Sequence, residues 1–164
     1  MSYKSKVKLM PLLLSAAGVL LVGGVIFYFS SPLNNAEPGI SLQHKDRAAV
    51  DLGKTIYAEN CASCHGVVLE GQANWRQRDA EGYLPAPPHD ESGHTWHHPD
   101  SYLFLMTKYG IEEMIGKSYP NNMPVFEDKL TNDEIIAALS YIKSTWSGGI
   151  QLKHDQINAR AKAH

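Results

Sequence analysis

The two cysteines of the chain, Cys61 and Cys64, are separated by two residues and followed directly by His65. Thiols and an imidazole at this spacing match C-x-x-C-H, the sequence to which c-type haem is attached. Each thiol can add across one vinyl group of the haem to form a thioether, and the adjoining imidazole can bind the iron as its proximal ligand. The motif therefore predicts one covalently attached haem c, and redox chemistry.

Two other kinds of site contain a C-x-x-C pair. A thioredoxin-like redox dithiol follows a strand within a βαβ pattern, whereas a helical pattern precedes Cys61. A structural zinc site needs four ligands, and the single cysteine pair would need histidines from further along the chain to complete it. Haem attachment is the favoured interpretation, with the zinc site and the redox dithiol as alternatives.

An uncharged and almost wholly apolar segment covers residues 9–29 of the 164-residue chain. A helix of this length spans about 31 Å, which matches the hydrocarbon core of a bilayer. Three lysines precede it and no Lys or Arg follows before Lys45, so the positive-inside rule places the N-terminus in the cytoplasm. We expect residues 1–30 to be a single-pass anchor in the cytoplasmic (inner) membrane, with the remainder on the periplasmic, outer side. The alternative is a cleaved signal peptide, whose apolar region is usually shorter.

The exported part of the chain divides into a tether, a domain and a tail. Residues 31–44 are rich in Ser, Pro, Asn and Gly, which is typical of a tether. The domain is expected at residues 45–147. The tail, residues 148–164, has no clear packing partner in the sequence, and we expect it to be loosely held.

The charge of the exported part bears on its partners. Residues 31–164 carry 12 Lys and Arg against 17 Asp and Glu, a net charge of −5. Nucleic acid is an unsuitable partner for such a surface, because phosphate contacts need a basic footprint. A cationic patch on a redox protein is a better match.

The spacing of apolar residues predicts helices and no strand. The first helix covers residues 45–60 and contains Gly53, where another helix can cross closely. The second covers residues 99–109. The third begins with the capping box of Thr131 and ends at Gly148-Gly149. The domain is therefore predicted to be all-α.

Four features follow one another in a specific order along the domain. They are Gly53-x-x-x-Tyr57, Cys61-Ala62-Ser63-Cys64-His65, Met123-Pro124 and Tyr141-Ile142. In this order they resemble the class I cytochromes c, and the resemblance covers residues 45–146. It implies a fold of three or more helices around a covalently bound haem, in which the first helix crosses the last at the glycine. It also implies that Met123 supplies the second axial ligand of the iron.

Met123 is the most suitable of the five methionines for this role. It follows Asn121-Asn122 in a predicted loop, and Pro124 restricts its backbone to an extended form. A thioether ligand stabilises ferrous iron and raises the reduction potential. It also fills the sixth coordination position, so ligation by His65 and Met123 favours outer-sphere electron transfer and predicts that the protein is not an enzyme.

Two further residues are predicted to contact the haem. A ligating histidine usually donates its other ring N–H to a fixed acceptor, and the resemblance implies that this acceptor is a proline carbonyl. Pro85 is the first choice and Pro87 the second. Residues 89–98 hold four histidines and Trp96, whose indole N–H we expect to bind a haem propionate. A second metal site and a pH-sensitive docking surface are the alternatives for this segment.

Together these features predict a membrane-tethered protein that carries single electrons between respiratory partners. The expected partners are a respiratory dehydrogenase, a cytochrome complex or a terminal oxidase. The nearest alternative is a haem c subunit of a larger oxidase or dehydrogenase. A haem enzyme or sensor, with Met123 displaced and a second metal bound at residues 89–98, is the alternative from a different class.

Overall fold

The structure of the protein is a computed structural model that describes residues 39–163. This part of the chain forms α-helices joined by loops, with one short 3-10 helix at Thr95–His97. The α-helices are α1 Arg47–Asn60, α2 Ala62–His65, α3 Asp100–Tyr109, α4 Ile111–Ile115, α5 Asn132–Ser144 and α6 Gly148–Ala161. Residues 39–163 contain no strand, so the all-α prediction is confirmed for the part of the chain that is described.

The predicted membrane anchor, residues 1–30, and the first part of the predicted tether lie outside the described residues. Within residues 39–163, none of the helices combines the length and the apolar character needed to cross a membrane.

Helices α1 and α5 cross in close contact at Gly53. A methyl group on this residue would lie 1.9 Å from the carbonyl oxygen of Ala137 and 3.0 Å from the β-carbon of Tyr141. Neither atom can move far, because the first belongs to the backbone of α5 and the second begins a packed side chain. Four residues later, the ring of Tyr57 packs 5.5 Å from that of Tyr141. The predicted helix crossing at the glycine is confirmed.

Replacing Gly53 with alanine is expected to lower the free energy of unfolding by about 3 kcal/mol, because the two helices must separate to admit the methyl group. Chemical unfolding followed by circular dichroism measures the effect. The matched control is Gly148→Ala, since a methyl group there would meet no atom within 4 Å. Equal stabilities for the two variants would show that the crossing is not tightly packed.

Two of the predicted helix ends are also present. Thr131 Oγ1 accepts a hydrogen bond from the Glu134 backbone N–H at 3.3 Å, and the Glu134 carboxylate accepts one from the Thr131 N–H at 2.8 Å. The two bonds satisfy backbone donors at the start of α5. The bonds that the Glu134 carboxylate accepts from the Thr131 N–H and hydroxyl lower the pKa of Glu134. Helix α3 ends at Tyr109 and is capped by Gly110, whose φ of +84° suits a residue without a side chain.

The prediction of a loosely held tail is wrong. Helix α5 ends at Ser144, and the two glycines predicted to terminate it instead begin α6. Helix α6 packs against the 3-10 helix, and its His154 is completely buried. The tail is therefore part of the folded domain.

Polar side chains hold α6 in place, which explains why apolar periodicity did not reveal it. His154 Nε2 lies 2.8 Å from the carbonyl oxygen of His98. The side-chain oxygen of Asn158 accepts a hydrogen bond from the Asp100 N–H at 2.7 Å, and its amide donates to the Asp100 carboxylate at 2.9 Å. Such pairings depend on the tertiary structure and leave no regular pattern in the sequence.

Candidate functional site

The end of α1 and the single turn of α2 position the two cysteines and the histidine. Cys61 follows α1 directly, and its N–H donates to the carbonyl oxygen of Tyr57 at 2.9 Å. The N–H groups of Cys64 and His65 both donate to the carbonyl oxygen of Cys61, at 3.1 and 2.9 Å. The Tyr57 hydroxyl closes the segment by donating to the carbonyl oxygen of Gly66 at 2.8 Å. The motif is thus one short, well-anchored turn.

The state of the thiols disfavours both alternatives to haem attachment. Both thiols are free, with Cys61 half-buried and Cys64 exposed. Burial raises the pKa of the Cys61 thiol to about 11, which is opposite to the lowered pKa of the nucleophilic cysteine in a redox dithiol. A zinc site lacks its ligands, because within residues 39–163 no three His, Cys, Asp or Glu side chains are placed together to hold a metal ion.

His65 is buried and oriented by a single hydrogen bond. The residue is only 8 % exposed, and burial lowers the pKa of its imidazole. Nδ1 lies 2.8 Å from the carbonyl oxygen of Pro87. Because a carbonyl oxygen can only accept, the neutral ring carries its proton on Nδ1. Nε2 then keeps its lone pair, which is the form of histidine that binds iron.

The acceptor is Pro87, so the preference for Pro85 is wrong. Two backbone contacts set this register: the Gly71 N–H donates to the carbonyl oxygen of His65 at 2.8 Å, and the Gln72 N–H donates to that of Ala86 at 2.9 Å. These two hydrogen bonds place Gly71 and Gln72 beside Ala86. The carbonyl group of the next residue, Pro87, then faces the His65 ring. The sequence could not separate the two prolines because the register depends on this loop pairing.

His89 belongs to the site, in a role that was not predicted from the sequence. The rings of His65 and His89 are stacked, with centroids 4.0 Å apart and planes inclined by 22°. Burial, with a smaller effect from His65, lowers the pKa of His89 well below its usual value. The density of histidines in residues 89–98 was the available signal, but the sequence contained nothing to show which of them faces His65.

Met123 lies in the loop between α4 and α5, as predicted. It is half-buried and packs against the same hydrophobic core as Cys61. Its N–H donates to the side-chain oxygen of Asn121 at 3.1 Å, which fixes the backbone just before Pro124. The loop therefore places a thioether side chain against the same hydrophobic core that Cys61 contacts.

Trp96 has a different partner from the one predicted. Its indole N–H donates to the carbonyl oxygen of Glu91 at 3.3 Å, and its ring stacks on His97 with centroids 3.6 Å apart. Indole has a single N–H, so this geometry does not support the bond from Trp96 to a haem propionate, which stays a prediction. Of the other histidines, His94 stacks on Trp75 and His98 on Tyr102. The rings of His94 and His98 meet edge-on, with centroids 5.6 Å apart.

Comparison with known families decides the interpretation of this site. Residues 50–146 match the family model of cytochrome c. The chain belongs to the cytochrome c family. No curated protein and no solved structure matched the chain. Membership of the family means that the protein is a c-type cytochrome with covalently bound haem c, and that its chemistry is haem-based electron transfer.

The residues of this cytochrome c fit the haem. Two free thiols are available for thioether formation, and the Pro87 hydrogen bond occupies Nδ1 of His65. Among residues 39–163, Nε2 of that ring has no hydrogen-bond partner. The stack with His89 covers a face of the ring and does not occupy the ring edge that carries Nε2.

Proposed function

We propose that this cytochrome c is a membrane-tethered carrier of single electrons, with His65 and Met123 as the axial ligands of its haem iron. Cys61 and Cys64 form the two thioether bonds. The observation that supports the proposal most strongly is the hydrogen bond of 2.8 Å between His65 Nδ1 and the Pro87 carbonyl oxygen. It holds the imidazole in the tautomer that a metal ligand requires.

Each residue of the site has a distinct task in this proposal. The bound haem supplies one-electron chemistry through its ferric and ferrous states. Pro87 orients His65 and raises the basicity of its ligating nitrogen. Met123 supplies a soft sulfur ligand, which stabilises the ferrous state and raises the reduction potential. With His65 and Met123 both binding the iron, no position would remain for a substrate, so the site would transfer electrons without turning over a substrate.

The amino-acid sequence supports the proposed location and partners of the carrier. The apolar residues 9–29 anchor the chain in the cytoplasmic membrane, and the lysines before them keep the N-terminus inside. The haem domain then lies on the periplasmic side. Its net charge of −5 over residues 31–164 suits cationic patches on redox partners such as a respiratory dehydrogenase, a cytochrome complex or a terminal oxidase. A tether raises the effective concentration of the domain at these partners.

Carbon monoxide binding to the unaltered, reduced protein separates a carrier from a haem enzyme or sensor. With Met123 on the iron, we expect no change in the visible spectrum at low carbon monoxide concentrations. A denatured sample, in which the methionine is released, is the positive control and should bind the gas. Tight binding to the folded protein would exclude the closed carrier site and favour an enzyme or sensor.

A further inference from the structure

His89 has a half-buried side chain to which the proposed function gives no task. Its ring lies against that of His65, with centroids 4.0 Å apart and planes inclined by 22°. The contact is face to face. It therefore restricts rotation of the His65 ring without occupying the ring edge that carries Nε2.

Contacts with three separate parts of the chain fix His89 itself. Its Nδ1 lies 2.7 Å from the Thr95 hydroxyl oxygen, and its backbone N–H donates to the carbonyl oxygen of Leu69 at 2.8 Å. Its carbonyl oxygen accepts a hydrogen bond from the indole N–H of Trp146 at 2.9 Å. A side chain held by packing and by hydrogen bonds to its neighbours keeps one position, and so can position another group.

Helix α6, which lies outside the residues that match the family model, also helps to hold His89 in position. Trp146 is 3 % exposed and makes an edge-on contact with His154 of α6, with ring centroids 5.1 Å apart. His154 Nε2 also contacts the His98 carbonyl oxygen at 2.8 Å. Residues 89–98 are thus held at both ends: His89 contacts Trp146, just before α6, and His98 contacts His154 within α6.

We propose that His89 is a positioning residue that sets the plane of the His65 ring. The Pro87 hydrogen bond restrains Nδ1, but a single hydrogen bond tolerates some rotation of the ring about its Cβ–Cγ bond. A stacked ring removes this freedom, so the two contacts together define the plane. The inference rests on the proposed axial role of His65. The plane of an axial imidazole affects the electronic structure of the iron that it binds.

The test compares His89→Leu with His97→Leu in the full-length, haem-loaded protein. His97 lies in the same segment, is exposed and stacks on Trp96. In the oxidised protein, the EPR g-values and the hyperfine-shifted proton NMR signals report the plane of the axial histidine. We expect both to shift in His89→Leu, with broadened EPR lines from several ring orientations, and the reduction potential to change with them. His97→Leu should match the unaltered protein in all three measurements.

A second variant keeps the test decisive if His89→Leu fails to mature. Thr95→Val removes the hydroxyl that fixes the His89 ring while preserving side-chain volume, and it should shift the same signals by a smaller amount. Unchanged signals in His89→Leu, or in Thr95→Val where only that variant matures, would overturn the inference. If the unaltered protein itself lacks the NMR signals of an iron-bound histidine, the proposed ligation by His65 fails. That result is distinct from a failure of the His89 inference alone.

Discussion

Replacing both Cys61 and Cys64 with serine is expected to abolish covalent haem attachment. A serine hydroxyl cannot form the thioether bonds, and the chain contains no other cysteine. Either single variant should keep one bond and so retain haem. Haem-dependent peroxidase staining of a denaturing gel measures the effect, because only covalently bound haem remains with the chain under these conditions.

Ser63→Ala is the matched control for the cysteine variants. Ser63 lies between the two cysteines on the same turn and is exposed, so its loss leaves both thiols in place and staining should be unchanged. Staining of the double serine variant at the intensity of the unaltered protein would contradict attachment through this motif. Loss of staining in Ser63→Ala as well would mean that the turn, and not the thiols, had been tested.

Replacing Met123 with alanine is expected to open the sixth coordination position. The methionine-to-iron charge-transfer band of the oxidised protein should disappear, and the reduced protein should bind carbon monoxide tightly. The reduction potential should fall, because the soft sulfur ligand that favours ferrous iron is gone. A decrease on the order of a few tenths of a volt is reasonable, given that axial ligands tune haem potentials over roughly 0.8 V.

Met114→Leu is the control for the methionine assignment. Met114 lies in the short helix α4 and is half-buried, so its replacement removes a thioether while preserving side-chain volume. We expect this variant to keep the band and to remain closed to carbon monoxide. The reverse pattern, with the band lost in Met114→Leu and kept in Met123→Ala, would assign the ligand to Met114.

Much of the fold was predictable because its signals are local. The capping box of Thr131 and the glycine stop at Gly110 each mark a helix end through a few neighbouring residues, and the structure contains both. Gly53 could be interpreted because a glycine destabilises the interior of a helix relative to alanine. Its presence there indicates that another part of the chain approaches the helix closely. The backbone of Ala137 does so. The cysteine motif likewise carries its chemistry within a few consecutive residues.

The features that sequence reasoning missed depend on contacts between distant segments. Helix α6 is docked through His154 and Asn158, whose partners lie more than fifty residues earlier. The choice of Pro87 over Pro85 depends on the pairing of Gln72 with Ala86, and the role of His89 on its position over His65. Polar side chains satisfy one another in many combinations, so their partners become known only when the fold is known.

A potentiometric titration of the purified full-length protein, followed by its visible spectrum, tests the central claim most directly. A one-electron carrier ligated by His65 and Met123 predicts a single reversible one-electron transition. The methionine-to-iron charge-transfer band should be present in the oxidised protein and vanish as the haem is reduced. A folded, oxidised protein without that band would contradict the proposed ligation, and with it the assignment of this cytochrome c as a closed electron carrier.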